Sequence, residues 1–187
     1  MTGKHYRILL INLILILTST TSLQADDGSR LALIVSGGGG SLQVADTSQF
    51  SPVFSLALLV HITDHVSAEG GIDFFWHKLL TGPLADQKVF WDDYTGAEAA
   101  VLYHFRPARE SERWIPFVAA GIGSTSTDFT EIEGSRYYRL GGGASYYFGE
   151  KWGVRIEVRD EIVERLWIPE NHGAHLPSLR FGLVRRF

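Results

Sequence analysis

The 187-residue sequence contains no cysteine. Disulfides, thiolate metal sites and the acylated cysteine of a lipoprotein are thereby excluded. Nor does it contain an apolar run of the ~20 residues that a membrane-crossing helix needs. The apolar stretch at residues 8–17 falls well short of that and is interrupted by Asn12. Basic character is missing too: 17 Lys and Arg stand against 21 Asp and Glu, a formal charge of −4. A nucleic-acid partner would want a basic face, so none is expected. Helical periodicity is absent after residue 26. What is abundant is glycine, 20 residues, with 11 Phe, 7 Tyr and 5 Trp. Short aromatic and glycine-rich strands are the material of closed antiparallel sheets.

The N-terminus reads as an export signal. Lys4 and Arg7 precede the apolar segment, and a polar, small-residue stretch follows it to Ala25. Residues 1–25 are therefore expected to be a cleaved signal peptide, with residues 26–187 forming one domain. Loss of Lys4 and Arg7 leaves that domain more acidic still.

Eight segments carry strand character: 30–36, 52–62, 66–76, 94–105, 114–124, 136–148, 152–163 and 178–187. Their side chains alternate with period two, so each strand has one apolar and one more polar face. In the second, Phe54, Leu56, Leu58, Val60 and Ile62 oppose Val53, Ser55, Ala57, Leu59 and His61. The seventh is the clearest, with Trp152, Val154, Ile156 and Val158 against Arg155, Glu157 and Arg159. The last sets Leu179, Phe181, Leu183 and Phe187 against Arg180, Gly182, Val184 and Arg186. The charges of the well-patterned strands are expected on the less apolar face throughout.

The expected connections alternate in length. Long loops at 37–51, 77–93, 125–135 and 164–177 alternate with shorter links at 63–65, 106–113 and 149–151. Barrels of the outer membrane have short periplasmic turns and longer extracellular loops. Aromatic strand ends at Trp76, Trp91, Trp114, Trp152 and Trp167 fit interfacial girdles. The expected fold is thus an all-β, eight-stranded, antiparallel up-and-down transmembrane barrel, lipid outside and charges within.

A strand that closes on a C-terminal Phe187, together with the segments at 101–106, 114–123, 140–148 and 152–159, resembles the outer-membrane β-barrel domain family. Within it the likeness is to the small eight-stranded OmpA-like and OmpX-like barrels. The resemblance implies a place in the cell outer membrane, among lipids that include lipopolysaccharide. It implies no catalytic residues and no cofactor. An OmpA-like protein proper carries a peptidoglycan-binding domain after the barrel; this chain, ending at Phe187, is expected to be the barrel alone.

The inward charges form the best-defined constellation. Glu69, Asp73, Glu98 and Glu157 face Arg139, Arg155, Arg159, Arg180 and Arg186. An eight-stranded lumen is just wide enough for side chains to fill, so a plug of salt bridges is expected, with an ion path past Arg155 and Arg159 as the alternative. The glycine run 37–40 is read as a flexible rim where the first strand enters a loop. A dinucleotide fingerprint would need a third spaced glycine and a following helix, and a lipase would need a Gly-x-Ser-x-Gly elbow. Neither is present. A lipid A-modifying enzyme would need a nucleophile beside a His and an acid. The candidates are His77, Glu170, His172, His175 and Ser178 near the loops, with His61 and His104 facing the lumen at its periplasmic end. His172 and His175 lack a third defined ligand, so no metal is expected. The leading expectation is a non-enzymatic barrel that serves envelope structure or surface interaction through its extracellular loops.

Overall fold

The computed structural model describes residues 30–44, 47–81, 88–108, 113–127, 136–163 and 174–187. The segment read as an export signal, and Trp167, Glu170 and His172, lie outside the described residues.

Eight strands follow in order: β1 (Leu31–Val44), β2 (Thr47–His61), β3 (Val66–Thr81), β4 (Lys88–His104), β5 (Trp114–Thr127), β6 (Arg136–Tyr147), β7 (Trp152–Val163) and β8 (Ala174–Arg186). Each pairs antiparallel with its neighbours in sequence, and β1 also pairs with β8 to close the barrel. At the seam the Phe187 N–H donates to the Leu31 carbonyl at 3.0 Å. Closure satisfies the edge groups that lipid would leave unpaired. No described helix is long and apolar enough to cross a membrane.

Alternation sorts the side chains as expected. Leu58, Val101, Ile122, Leu140, Val158 and Phe181 are exposed on the outer wall, while Glu69, Asp73, Arg139, Arg159 and Arg180 are buried in the lumen. A protein dissolved in water has the reverse arrangement. Two charges break the sequence rule. Arg185 and Asp160 have outward parity, beside exposed Leu183 and Val158, and neither joins the luminal set. Arg185 lies at the end of β8 nearest the chain terminus, and Asp160 lies toward the opposite rim.

The strands run past the segments legible as alternation. Residues 37–44 continue β1, paired in register with residues 47–54 of β2, so the expected loop at 37–51 reduces to residues 45 and 46. The glycine run is therefore paired strand, and the flexible-rim reading is overturned. The physical reason is close approach: a Cβ on Gly38 would run into the Leu179 carbonyl of β8, and one on Gly39 into the Phe50 ring. Here glycine lets strands and an aromatic ring pack against bare backbone. β3 and β4 likewise extend to Thr81 and Lys88, and β8 begins at Ala174. At 16 and 17 residues, β3 and β4 exceed the ~9–11 that a tilted strand needs to cross lipid. Backbone pairing therefore continues beyond the segments in which side chains alternate.

Candidate functional site

The lumen is built in three layers. The middle one is ionic and combines side chains from β2, β3, β4, β6, β7 and β8. Arg139 on β6 donates from Nη1 to Glu69 at 2.7 Å and to Glu98 at 2.5 Å, and from Nη2 to Glu157 at 2.6 Å. Arg155 bridges the same Glu69 and Glu157, at 2.6 and 2.8 Å. Arg159 donates to Glu98 at 2.9 Å and from Nε to Glu157 at 3.1 Å, and reaches Asp73 at 3.4 Å. Arg180 donates to Asp73 at 2.8 Å and to the Ser55 hydroxyl at 2.5 Å, and it pairs with Glu161. Eight of the nine inward charges picked out from the sequence thus meet in one network, while Arg186 is buried apart from it against Tyr147.

Their convergence has a simple cause. Luminal residues recur at every second position, so Arg155, Glu157 and Arg159 stand in a column on β7, and the barrel is narrow enough for that column to reach β3. An isolated buried ion is costly, and the cost is offset only where geometry and extra hydrogen bonds are good. Each guanidinium here contacts at least two oxygens, in line with the strength of charge-assisted bonds. Arg155 also lies over the Phe117 ring at 4.2 Å, and Arg180 lies 5.7 Å from the Phe75 centroid.

Several members were missed in the sequence. Glu161 continues the β7 parity by one more step and pairs with Arg180 and, at 3.6 Å, with Arg159. Tyr137 lies across Gly96 and Gly123, where added methyl groups would meet its ring or hydroxyl, and donates to Glu98 at 3.5 Å. Side-chain oxygens of Asp73, Glu98 and Glu161 lie within 4.8 Å of one another. Guanidiniums engage all three, so this carboxylate group is part of the ion-pair set.

The layer at the terminus-bearing end is largely apolar: Ala32, Ile34, Leu102, Ile115, Phe117, Tyr147 and Val184 pack together there. Set among them, the Ser67 hydroxyl is 2.7 Å from His61 Nδ1 and 2.7 Å from His104 Nε2. The luminal placement expected for both histidines therefore holds, and Ser67 links them. Arg186 is buried at the same end, its guanidinium 3.5 Å from the Tyr147 ring centroid. The layer at the other end is an apolar cap of Val53, Phe75 and Leu176. Within the ionic layer a void of about 10 Å³ remains, bordered by Ser36, Ser55, Glu69, Glu157 and Arg180. That is room for about one water molecule.

The described members of the loop histidine set do not converge. His175 is exposed on the outer face and hydrogen-bonded to Asp160 at 3.1 Å, whereas Ser178 is buried in the lumen and accepts from Arg180 Nε at 3.3 Å. His77 is placed by its backbone in β3, opposite Asp92. Among the aromatic strand ends, Trp114 and Trp152 are exposed on the outer wall. The backbones of Trp76 and Trp91 lie in β3 and β4.

Comparison with known proteins agrees with this architecture. The family model described as an outer membrane protein beta-barrel domain matches residues 13–187. No curated protein matches the sequence significantly. Among solved structures, Neisserial surface protein A superposes with a TM-score of 0.63 at 14% identity, covering 87% of this chain and 100% of that one. The outer membrane protein OprG of Pseudomonas aeruginosa gives 0.61 at 11% identity, covering 86% and 97%. The outer membrane enzyme PagL gives 0.54 at 17% identity, covering 80% and 97%. At these identities the likeness is one of fold.

Proposed function

The chain belongs to the outer membrane protein β-barrel domain family, and within it we propose a non-enzymatic envelope protein. In this reading a sealed barrel serves outer-membrane structure or presents its extracellular connections to a partner, and the end bearing Arg30 and Phe187 faces the periplasm. The observation that carries it is the stacking of the lumen. Among the described residues, an ion-pair layer drawn from five strands and hydrogen-bonded to Ser55 of a sixth is flanked at each end by a largely apolar cluster, and it borders a void of about 10 Å³. Such a core suits a rigid scaffold and opposes passage of hydrated solutes. Function then varies in the connections at 45–46, 82–87, 128–135 and 164–173, since loops on a fixed scaffold carry recognition.

Two measurements test this reading. Reconstituted into a planar bilayer, the protein is expected to leave conductance at baseline; stepwise openings would favour the narrow-channel alternative. Mass spectrometry of lipid A from cells with and without the protein is expected to give one acylation pattern. A lost or gained acyl chain would identify a lipid A-modifying enzyme and end the non-enzymatic reading.

A further inference from the structure

The outer wall carries a groove that the luminal account does not use. Trp114, Tyr146, Val154, Ile156 and Phe181 line a hollow of about 370 Å³ spanning β5 to β8. Its floor is Ala144. This residue pairs with Ile156 and shares its outward face, yet is only 6% exposed because large neighbours overhang it. Small-residue floors under aromatic walls make a slot; a smooth lipid-facing wall would not need one. A hollow of this size falls within the range of small-ligand sites.

One step toward the chain terminus from Val154 and Leu183 stand Trp152 and Arg185, paired across β7 and β8. The Arg185 guanidinium is 5.4 Å from the Trp152 ring centroid and 5.0 Å from that of Phe187. No carboxylate among the described residues forms an ion pair with it. Exposed Glu150, in the neighbouring turn, does not reach it, whereas Arg113 and Lys151 are exposed cations at the same end. A cation held by two rings at the rim of the outer wall, with no carboxylate paired to it, complements an anion at headgroup depth. The bilayer supplies one directly above an apolar slot.

We propose that this groove is a binding site for an anionic glycerophospholipid of the periplasmic leaflet, one acyl chain lying over Ala144 and the phosphate on Arg185. The site rests on the proposed orientation, with the outer wall facing lipid and the Phe187 end toward the periplasm, and is independent of what fills the lumen. Charge complementarity selects an anionic headgroup, and the slot's continuity with the hydrocarbon-facing wall selects a lipid over a soluble phosphate. A cation near an anionic membrane surface contributes about 1 kcal/mol, about fivefold in affinity.

The test is native mass spectrometry of the folded protein in detergent with equal amounts of phosphatidylglycerol and phosphatidylcholine. The expected result is retention of phosphatidylglycerol over phosphatidylcholine by about fivefold, a preference that shrinks as salt screens it. Arg185→Gln should abolish the preference while leaving lipid retention, and Arg185→Lys should keep it. Ala144→Phe, which fills the slot from the lipid side, should remove retained lipid of both kinds. Folding of each variant is checked by its faster migration on unheated SDS gels. Equal retention of the two lipids by the unaltered protein, or a preference that persists in Arg185→Gln or is indifferent to salt, overturns the site. A folded barrel with no such preference sinks this proposal alone, leaving the sealed-scaffold reading to its own conductance test.

Discussion

Arg139 and Glu69 are 70 residues apart in sequence and belong to strands that do not touch, yet they close a 2.7 Å ion pair across the barrel. The pair spans a lumen whose width strand number and stagger have set. Two strands, β4 and β5, separate the partners around the wall, so the bond is a strut across the cylinder.

Removing one end of the strut strands several charges. Arg139→Leu takes one donor from each of Glu69, Glu98 and Glu157, leaving them to Arg155 and Arg159, and uncompensated buried charge typically costs about 3–5 kcal/mol. Urea unfolding in detergent micelles, followed by gel mobility, is expected to show a loss of that order. Combining Arg139→Leu with Glu69→Gln should recover part of it.

The ionic layer holds more carboxylates than guanidiniums: Glu69, Asp73, Glu98, Glu157 and Glu161 against Arg139, Arg155, Arg159 and Arg180. Glu161→Gln keeps an acceptor for Arg180 and offers an amide donor to the nearby Asp73 and Glu98 oxygens. Its effect on stability is expected to lie within about 1 kcal/mol of zero, because a neutral hydrogen bond replaces a surplus charge. Arg180→Gln, measured the same way, should cost several times more.

Backbone approach makes a different kind of prediction. Gly38→Val places a branched side chain against the Leu179 carbonyl at the closing seam. The variant is expected to lose the fast-migrating folded form. Gly149→Ala, where no atom lies within 4 Å of the added methyl, should fold normally.

The lipid-facing assignment can be probed by charge. Val158 and Val101 are 60% and 57% exposed on the outer wall. Arginine at either is expected to destabilise the refolded protein, by up to about 2–4 kcal/mol. Arginine in the exposed turn at Glu150 should change little. Equal effects at all three would argue that the wall faces water.

Much of this was legible in the sequence because period two is a strong signal when one face meets hydrocarbon. Leu58 and Glu157 declare their faces without reference to any neighbour. The luminal set of Glu69, Asp73, Glu98, Arg139, Arg155, Glu157, Arg159 and Arg180 follows from parity alone. What parity cannot give is partnership. Which carboxylate Arg139 meets depends on barrel width and strand stagger, both set by register. Residues 37–40 were misread because glycine has no side chain to reveal a face. Glu161 was overlooked although its parity continues that of Arg159. The Ser67 bridge between His61 and His104 depends on β2, β3 and β4 standing side by side, which spacing does not reveal.

The seam has a temporal consequence. Because β1 must pair with β8, the first strand has no permanent neighbour on that side until the eighth strand of the barrel has been made. The cylinder cannot be finished piecemeal during translation, and contacts of such high sequence separation form slowly. Until then the chain carries an oily surface and an open edge, a state in need of an escort that shields both.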